Sequence, residues 1–242
     1  SGRKPDIVLI FIHGGGWVLG NVESYDPVAR MLCVQSGALV VSVGYRLAPE
    51  HRFPTAVDDV LAAYLWVLAE MAAGRIVAKK VFVSGDSAGG NLAAVLCLEA
   101  RERKLPLPSG QILFYPVTDI SRTNRDSYAQ FAEGYILDRE DMEWFIELYA
   151  PEESQRKDPR ASPLLAPGLS GLPPALVITS GFDVLRDEGE AYAAALRSAG
   201  VSVESRRMRG LVHGFLSMSR FIPSARRCAK MAATFMRDQS TQ

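Results

Sequence analysis

Ser87 has the sequence surroundings that most favour covalent chemistry. It lies at the centre of the run GDSAG at residues 85–89, which matches the pattern G-x-S-x-G. This pattern supports chemistry where a strand turns sharply into a helix, because the turn exposes the serine hydroxyl and the small neighbours relieve crowding. The apolar run KVFVS precedes it at 80–84, and helical spacing follows it at 88–103. We therefore predict a nucleophilic Ser87, with a tight structural turn as the alternative.

A serine hydroxyl needs a base, and the chain has three histidines, at positions 13, 51 and 213. Where G-x-S-x-G joins a strand to a helix, the orienting acid and the histidine follow the serine in the chain. His213 is the histidine that follows Ser87. It is the predicted base, and a structural loop histidine is the alternative.

The orienting acid is expected after a strand and before His213. Asp183 fits this position, since it comes just after the apolar run ALVIT at 175–179. Its predicted role is to accept the Nδ1–H of the histidine, which fixes the tautomer and stabilises the imidazolium. Asp187 is the alternative, although Asp187 and Glu188 resemble the acidic residues that complement the dipole at a helix N-terminus.

The run HGGGW at 13–17 is suited to binding either a phosphate or an oxyanion with its backbone N–H groups. A dinucleotide-binding fingerprint needs G-x-G-x-x-G, but the third glycine position holds Leu19, and Gly20 comes one residue late. A P-loop needs Gly-Lys-Ser/Thr, which the chain lacks. The pattern favours an oxyanion, and the N–H of Ala88, directly after the serine, would supply a further donor.

Strand-like and helix-like segments alternate along most of the chain. The predicted strands are 6–12, 38–43, 80–84, 111–115, 175–179 and 202–208, and the predicted helices are 24–35, 54–73, 88–103, 187–199 and 225–237. This alternation predicts an α/β fold, with a mostly parallel central sheet flanked by helices. Residues 119–171, here called the inserted segment, interrupt this alternation with polar stretches and one amphipathic helix at 138–149. We predict a single domain, 1–242, in which this segment forms a cap-like insertion.

Composition and cysteine spacing argue against several classes of protein. Twenty-seven basic residues balance 27 acidic ones, so the charge gives no indication of a nucleic-acid partner. No apolar run approaches the ~20 residues that span a membrane. Cys33, Cys97 and Cys228 lie far apart without C-x-x-C spacing, which predicts buried small hydrophobic residues and neither a disulfide framework nor a zinc site. We expect a cytoplasmic protein.

Five motifs occur in order along the chain: HGGGW at 13–17, YRLAPE at 45–50, GDSAGG at 85–90, D-x-L-R-D-E-G at 183–189 and HGF at 213–215. Together they resemble the bacterial esterases of the hormone-sensitive lipase family, which have the α/β-hydrolase fold. The resemblance runs from about residue 6 to the C-terminus. Family members usually carry cap helices and the first strands of the sheet before the glycine run, and we expect these to be missing from this chain.

The resemblance also implies roles for individual residues. The family's nucleophile, orienting acid and base fall on the three residues already singled out. Its oxyanion donors fall on the backbone N–H groups of Gly15, Gly16 and Ala88. His13 is implied to brace the glycine loop through hydrogen bonds, and not to act as the base.

The activity implied by the resemblance is hydrolysis of short- to medium-chain acyl esters, with no metal or organic cofactor. The expected partner is a small-molecule ester, and a homodimer is left open. Trp17, Phe215 and apolar residues of the inserted segment are predicted to line the substrate pocket, with a core position as the alternative for each aromatic ring. An amidase or formamidase with the same residues is the alternative enzyme. A catalytically silent ligand-binding protein is the alternative outside the enzymes.

Overall fold

The centre of the molecule is a six-stranded sheet in which all neighbouring strands are parallel. The computed structural model describes residues 6–240. The strands are β1 Ile7–Ile12, β2 Leu39–Val43, β3 Lys80–Asp86, β4 Gly110–Phe114, β5 Ala175–Phe182 and β6 Val203–Val212. Their order across the sheet is β2-β1-β3-β4-β5-β6. The predicted α/β fold with a parallel sheet is confirmed.

Helices cover both faces of this sheet. They are α1 Val22–Ser36, α2 Thr55–Ala72, α3 Ala88–Glu102, α4 Asp126–Gln130, α5 Arg139–Tyr149, α6 Glu153–Arg156, α7 Arg186–Ser198 and α8 Pro223–Ser240. Helices α1 and α8 pack on the face that carries Leu9 and Phe11 of β1. Helices α2, α3 and α7 pack on the face that carries Ile10 and Ile12. The central strands are apolar on both sides because both faces are covered.

Helix α3 is the most deeply buried helix of the fold. Every residue from Ala88 to Ala100 is buried. Its first turn contains Gly89 and Gly90, and small residues there let the helix approach the sheet closely. The first turn of the helix therefore packs closely against the carboxyl end of the sheet, and a single residue separates it from the end of β3 at Asp86.

Several elements differ in length from the sequence prediction, and α1 and β6 are two of them. Helix α1 begins earlier, at Val22, because Asn21 and Ser24 form a reciprocal cap. The Asn21 side-chain oxygen accepts the Ser24 N–H at 2.7 Å, and Ser24 Oγ accepts the Asn21 N–H at 3.0 Å. Strand β6 continues beyond the predicted end at 208 and reaches Val212.

The prediction that all three cysteines are buried is wrong for Cys33, which is exposed on α1. The buried side of α1 includes Leu32, and the next residue of a helix is rotated by about 100° away from it. Cys97 and Cys228 are buried, as predicted.

The chain between β4 and β5, residues 115–174, contains α4, α5 and α6. Asp138 caps α5, and its own N–H donates to the Asp141 carboxylate at 3.0 Å. The buried face of α5 consists of Met142, Ile146 and Tyr149. None of the helices within residues 6–240 has both the length and the apolar character needed to cross a bilayer.

Candidate active site

The glycine run and Ser87 are neighbours because of how the chain crosses the sheet. The chain passes from β1 to the edge strand β2 and then returns to β3, on the other side of β1. Ile12 and Gly85 are register partners near the carboxyl ends of β1 and β3. In open parallel sheets, ligands bind at such a change of direction, because the loops after the two strands diverge and leave a crevice.

Ser87 occupies a strained turn between β3 and α3. Its φ of 54° and ψ of −121° are values that residues with a side chain rarely adopt. A Cβ on Gly85 would lie 2.1 Å from the Gly89 carbonyl oxygen, and one on Gly89 would lie 2.1 Å from the Ile12 carbonyl oxygen. Close packing of main chains therefore requires both glycines. The Ser87 N–H donates to the Phe114 carbonyl at 2.9 Å, which anchors the turn on β4.

Ser87, His213 and Asp183 form a continuous chain of hydrogen bonds. His213 Nε2 lies 3.0 Å from Ser87 Oγ, and His213 Nδ1 lies 2.8 Å from Asp183 Oδ2. A carboxylate can only accept, so Nδ1 carries the proton and Nε2 is left to accept from the serine hydroxyl. All three residues are buried, and Asp183 Oδ1 accepts the Leu185 N–H at 2.9 Å. The structure thus brings together the three residues predicted from the sequence.

An irregularity in the pairing of β5 with β6 aligns the acid with the histidine. Phe182 pairs with Val212, two residues further along β6 than the pairing of Ser180 would give. Asp183 and His213 directly follow this last pair. The irregularity therefore brings the two side chains level at the end of the sheet.

Gly181 permits this irregularity. A Cβ on Gly181 would lie 2.2 Å from the carbonyl oxygen of Arg209 on β6, so a side chain there would force the strands apart. Gly181 is not among the residues predicted from the sequence. The available signal was a glycine inside a strand pattern, which often marks a bulge or a close approach of two backbones.

The glycine loop carries N–H groups that are available to a ligand. Gly15 and Gly16 have φ values of 108° and 60°, which glycine adopts most readily. Within residues 6–240, neither glycine N–H donates a hydrogen bond outside regular helices and strands. Ala88 is the first residue of α3, and the N–H at that position has no intrahelical partner. All three predicted oxyanion donors are therefore free to bind an anionic oxygen.

His13 supports the glycine loop from inside the fold. Its Nδ1 lies 2.8 Å from the Gly14 carbonyl oxygen, and a carbonyl can only accept, so Nδ1 carries the proton. Burial lowers the pKa of His13, which keeps the ring neutral at neutral pH. The ring stacks on Tyr45 with centroids 4.4 Å apart, and the Tyr45 hydroxyl donates to the His13 carbonyl at 2.9 Å.

Trp17 and Phe215 do not line the pocket in this structure, and the prediction is corrected for both. Each side chain is fully buried. Trp17 stacks on Tyr149 of α5 with centroids 4.4 Å apart, and Phe215 packs edge-on against Tyr115 at 5.1 Å. The φ of Trp17 is 61°, and its indole packs within the core. Both rings support the site from behind and have no surface open to a ligand.

Phe145 is the aromatic side chain that the inserted segment places against the glycine loop. A Cβ on Gly16 would lie 2.3 Å from the Phe145 ring, so the ring covers one side of Gly16. Phe145 is half-buried, and the neighbouring Trp144 is 52% exposed. The inserted segment therefore reaches the site through α5.

Asp187 and Glu188 connect α7 to the region around the inserted segment. Asp187 Oδ2 accepts the Ser127 N–H at 2.8 Å. Glu188 is fully buried and accepts the N–H groups of Thr118 at 2.7 Å and Asp119 at 3.3 Å. Burial raises the pKa of Glu188 to about 8.

Across residues 6–240, His, Cys, Asp and Glu side chains form no group of three or more that could hold a metal ion.

Comparison with known proteins places this geometry in a family. The model of a family described as having the α/β hydrolase fold matches residues 9–217. The chain is 46% identical over 225 residues to carboxylic ester hydrolase LipN of Mycobacterium tuberculosis, a match that covers 90% of this chain and 59% of LipN. It is 42% identical over 218 residues to ethyl acetate hydrolase of Pseudomonas putida, covering 90% of this chain and 68% of that enzyme.

A solved structure shows the same architecture. The esterase of Pyrobaculum calidifontis superposes with a TM-score of 0.94 at 39% identity, covering 100% of this chain and 80% of that one. This chain thus spans about three fifths to four fifths of the length of these relatives. It belongs to the α/β-hydrolase family, and the resemblance of its motifs to the bacterial esterases of the hormone-sensitive lipase family is confirmed.

Proposed function

We propose that this chain is a serine carboxylesterase that hydrolyses short- to medium-chain acyl esters. The observation that carries the proposal is the chain of hydrogen bonds from Ser87 through His213 to Asp183, with distances of 3.0 and 2.8 Å. The names of two relatives support the reaction type, since one is a carboxylic ester hydrolase and the other an ethyl acetate hydrolase. Ethyl acetate carries a two-carbon acyl group, which supports the short end of the proposed range.

Acylation begins when Ser87 Oγ attacks the ester carbonyl carbon and His213 Nε2 takes the hydroxyl proton. The imidazolium that forms keeps its Nδ1–H on Asp183, whose buried carboxylate stabilises the positive charge. The strained backbone at Ser87 holds Oγ in the attacking position before the substrate arrives. A fixed position lowers the entropic part of the barrier.

The N–H groups of Gly15, Gly16 and Ala88 bind the negative oxygen of the tetrahedral intermediate. These donors are part of the folded backbone, so little reorganisation is needed as charge develops on the oxygen. The loss of one such donor typically lowers kcat by about 10²- to 10³-fold. The partial positive charge at the N-terminus of α3 acts in the same direction.

The intermediate collapses when His213 Nε2 protonates the leaving alcohol oxygen and the C–O bond breaks. The acyl group then remains on Ser87. In the second step His213 takes a proton from water, and the resulting hydroxide attacks the acyl carbon. Release of the carboxylic acid returns the proton to Ser87 and restores the starting hydrogen bonds.

The test is hydrolysis of p-nitrophenyl butyrate by Ser87→Ala, with Ser84→Ala as the matched control. Ser84 lies three residues earlier on β3, and its buried hydroxyl has no hydrogen-bond partner among the described residues. Ser87→Ala is expected to lower kcat by on the order of 10⁴- to 10⁶-fold, while Ser84→Ala retains activity. An organophosphonate is expected to label Ser87 stoichiometrically. Undiminished hydrolysis by Ser87→Ala, or labelling of another residue, would contradict the proposal.

Matched substrates test the acyl range and the bond that is cleaved. We expect kcat/KM to be highest for p-nitrophenyl esters of short to medium chain length. We also expect it to be far higher for an ester than for the amide of the same acid. A preference for the amide would identify an amidase that uses the same residues.

A further inference from the structure

We propose that Asp86 is a positioning residue for the oxyanion loop. Its carboxylate holds the N–H of Gly14 and so fixes the turn in which Gly15 and Gly16 present their own N–H groups. The inference rests on the proposed function, because it assigns those two N–H groups to the oxyanion.

The first observation is a direct bond between the two loops that form the site. Asp86 is the last residue of β3 and is 2% exposed. Its Oδ1 accepts the Gly14 N–H at 2.9 Å. A Cβ on Gly14 would lie 2.7 Å from Asp86 Oδ2 and 2.9 Å from the Asp86 carbonyl oxygen. The glycine loop therefore packs directly on Asp86, with no room for a side chain or a water molecule between them.

The second observation is the conformational freedom of the loop. Gly14, Gly15 and Gly16 are consecutive, and glycine loses more backbone entropy on ordering than any other residue. Such a run needs an external partner to hold one conformation. The Gly14 N–H has that partner in Asp86, and the next two residues continue the same turn. Other bonds hold carbonyls of the run, from His13 to Gly14 and from the N–H groups of Val18 and Leu19 to Gly15. The bond to Asp86 holds the Gly14 N–H and so helps to set the direction of the N–H groups that follow.

The third observation connects Asp86 to the base. Its second oxygen, Oδ2, lies 3.5 Å from the Tyr115 hydroxyl. The Tyr115 ring packs edge-on against the His213 ring with centroids 4.7 Å apart. One buried carboxylate thus contacts the glycine loop on one side and the neighbour of the histidine on the other.

The chemistry favours a role as hydrogen-bond acceptor. Burial raises the pKa of Asp86 to about 7, although His213 and the Gly14 N–H act to lower it. A negative charge is thus disfavoured at this position, whereas an acceptor is required. Without an acceptor, the buried Gly14 N–H would lose its partner, and a buried unsatisfied donor is costly. The loop would then turn to satisfy that donor and would misplace the next two.

The test compares Asp86→Ala, which removes the acceptor, with Asp86→Asn, which removes the charge and keeps an oxygen for Gly14. We expect Asp86→Ala to lower kcat on p-nitrophenyl butyrate by about ten- to a hundredfold, with little change in KM. Asp86→Asn is expected to lose less than about tenfold. The matched control is Asp119→Ala, since Asp119 is also fully buried but binds Arg125 in the inserted segment. It is expected to lower the melting temperature while leaving kcat nearly unchanged.

Hydrogen–deuterium exchange of the peptide spanning 13–17 gives a readout that is independent of activity. Exchange is expected to be faster in Asp86→Ala than in the wild type, and close to wild type in Asp86→Asn. Unchanged exchange in a folded Asp86→Ala would overturn the inference, as would an Asp86→Asn variant that loses more than about tenfold in kcat. If Asp86→Ala fails to fold, the kcat of Asp86→Asn still tests the inference. A wild type that does not hydrolyse the ester would instead refute the proposed function, and the exchange measurement would still decide the role of Asp86.

Discussion

The two regions that meet at the site are held in place by different kinds of contact. On the sheet side, the loops after β1 and β3 are fixed largely through the backbone. The Ser87 N–H binds the Phe114 carbonyl and Gly89 packs against the Ile12 carbonyl, while one side chain, Asp86, holds the Gly14 N–H. The positions of the groups proposed to react are therefore set by the fold itself.

The inserted segment is attached mainly by side chains. Asn91 of α3 donates to the Ala161 carbonyl at 2.9 Å, and the Ser127 hydroxyl donates to the Val184 carbonyl at 2.6 Å. Large apolar side chains of this segment are also exposed, including Ile136 at 61% and Trp144 at 52%. Such an attachment is lost when one side chain is replaced, whereas a bond between two backbone groups has no side chain to remove. We infer that the sheet side determines the reaction and that the inserted segment adjusts which substrates reach it.

The largest expected effect separates two carboxylates that lie four residues apart. Asp183→Asn is expected to lower kcat by about 10⁴-fold, because an amide can stabilise the wrong tautomer of His213. Asp187→Asn is expected to lower kcat by less than about tenfold, since Asp187 binds Ser127 of the inserted segment. Steady-state kinetics on the same ester checks both variants. Equal losses would mean that the inserted segment takes part in the reaction geometry as directly as the sheet does.

The second prediction compares a glycine from each region. Gly89→Ala is expected to destabilise the fold by about 3 kcal/mol, because its Cβ has no space in a packed core. Gly134, in the inserted segment, has a φ of 86° and open space around it. Gly134→Ala is expected to cost about 1 kcal/mol, from the left-handed backbone alone. Denaturant unfolding measures both, and a Gly89→Ala variant as stable as Gly134→Ala would contradict the tight packing of α3 on β1.

Glu188 of α7 lies where the two regions meet, and its protonation makes stability depend on pH. The folded-state pKa of Glu188 is about 8, above its unfolded value of 4.5. Between these two pH values the carboxyl group is protonated in the folded state and ionised in the unfolded state. Stability from this group therefore falls as pH rises from about 4.5 to about 8. Glu188→Gln removes this loss and keeps an acceptor for Thr118. At pH 9 it is expected to be more stable than the wild type, by on the order of 2 kcal/mol.

Chemical denaturation at pH 5 and pH 9 provides the measurement. The advantage of Glu188→Gln is expected to shrink towards pH 5, where the wild-type carboxyl is protonated. Asp86 titrates over a similar range, but its contribution is common to both proteins and cancels in the comparison. An equal difference at the two pH values would show that Glu188 does not titrate with a raised pKa.

The smallest expected effect tests the inserted segment where it touches the glycine loop. Phe145→Ala is expected to change the ratio of kcat/KM between butyrate and longer esters, because its ring covers one side of Gly16. Trp144→Ala, on the neighbouring exposed position of α5, is the control. It is expected to change the free energy of unfolding by less than about 0.5 kcal/mol. If the two variants showed the same chain-length profile, Phe145 would have no specific influence on substrate choice.

Local patterns predicted the strands, most helices and the three hydrogen-bonded residues, because each depends on near neighbours or on order along the chain. The positions of Trp17 and Glu188 could not be predicted in this way. Trp17 packs on Tyr149, a residue far along the chain, and its positive φ is rare for a residue with a side chain. Glu188 lies in the first turn of α7, as predicted, but nothing in the local pattern indicates that it is buried and binds Thr118 and Asp119. Both outcomes depend on tertiary contacts.

The burial of helix α3 affects how strongly dissolved salt can screen its charges. Residues Ala88 to Ala100 are all buried, so mobile ions cannot surround the helix. Screening by salt acts through the solvent, over a distance of about 8 Å at physiological ionic strength. The positive end of this helix points towards the reacting serine from inside the protein. The electric field of this helix at the proposed oxyanion site is therefore screened less than that of an exposed helix, and turnover of an uncharged ester is expected to vary little with ionic strength.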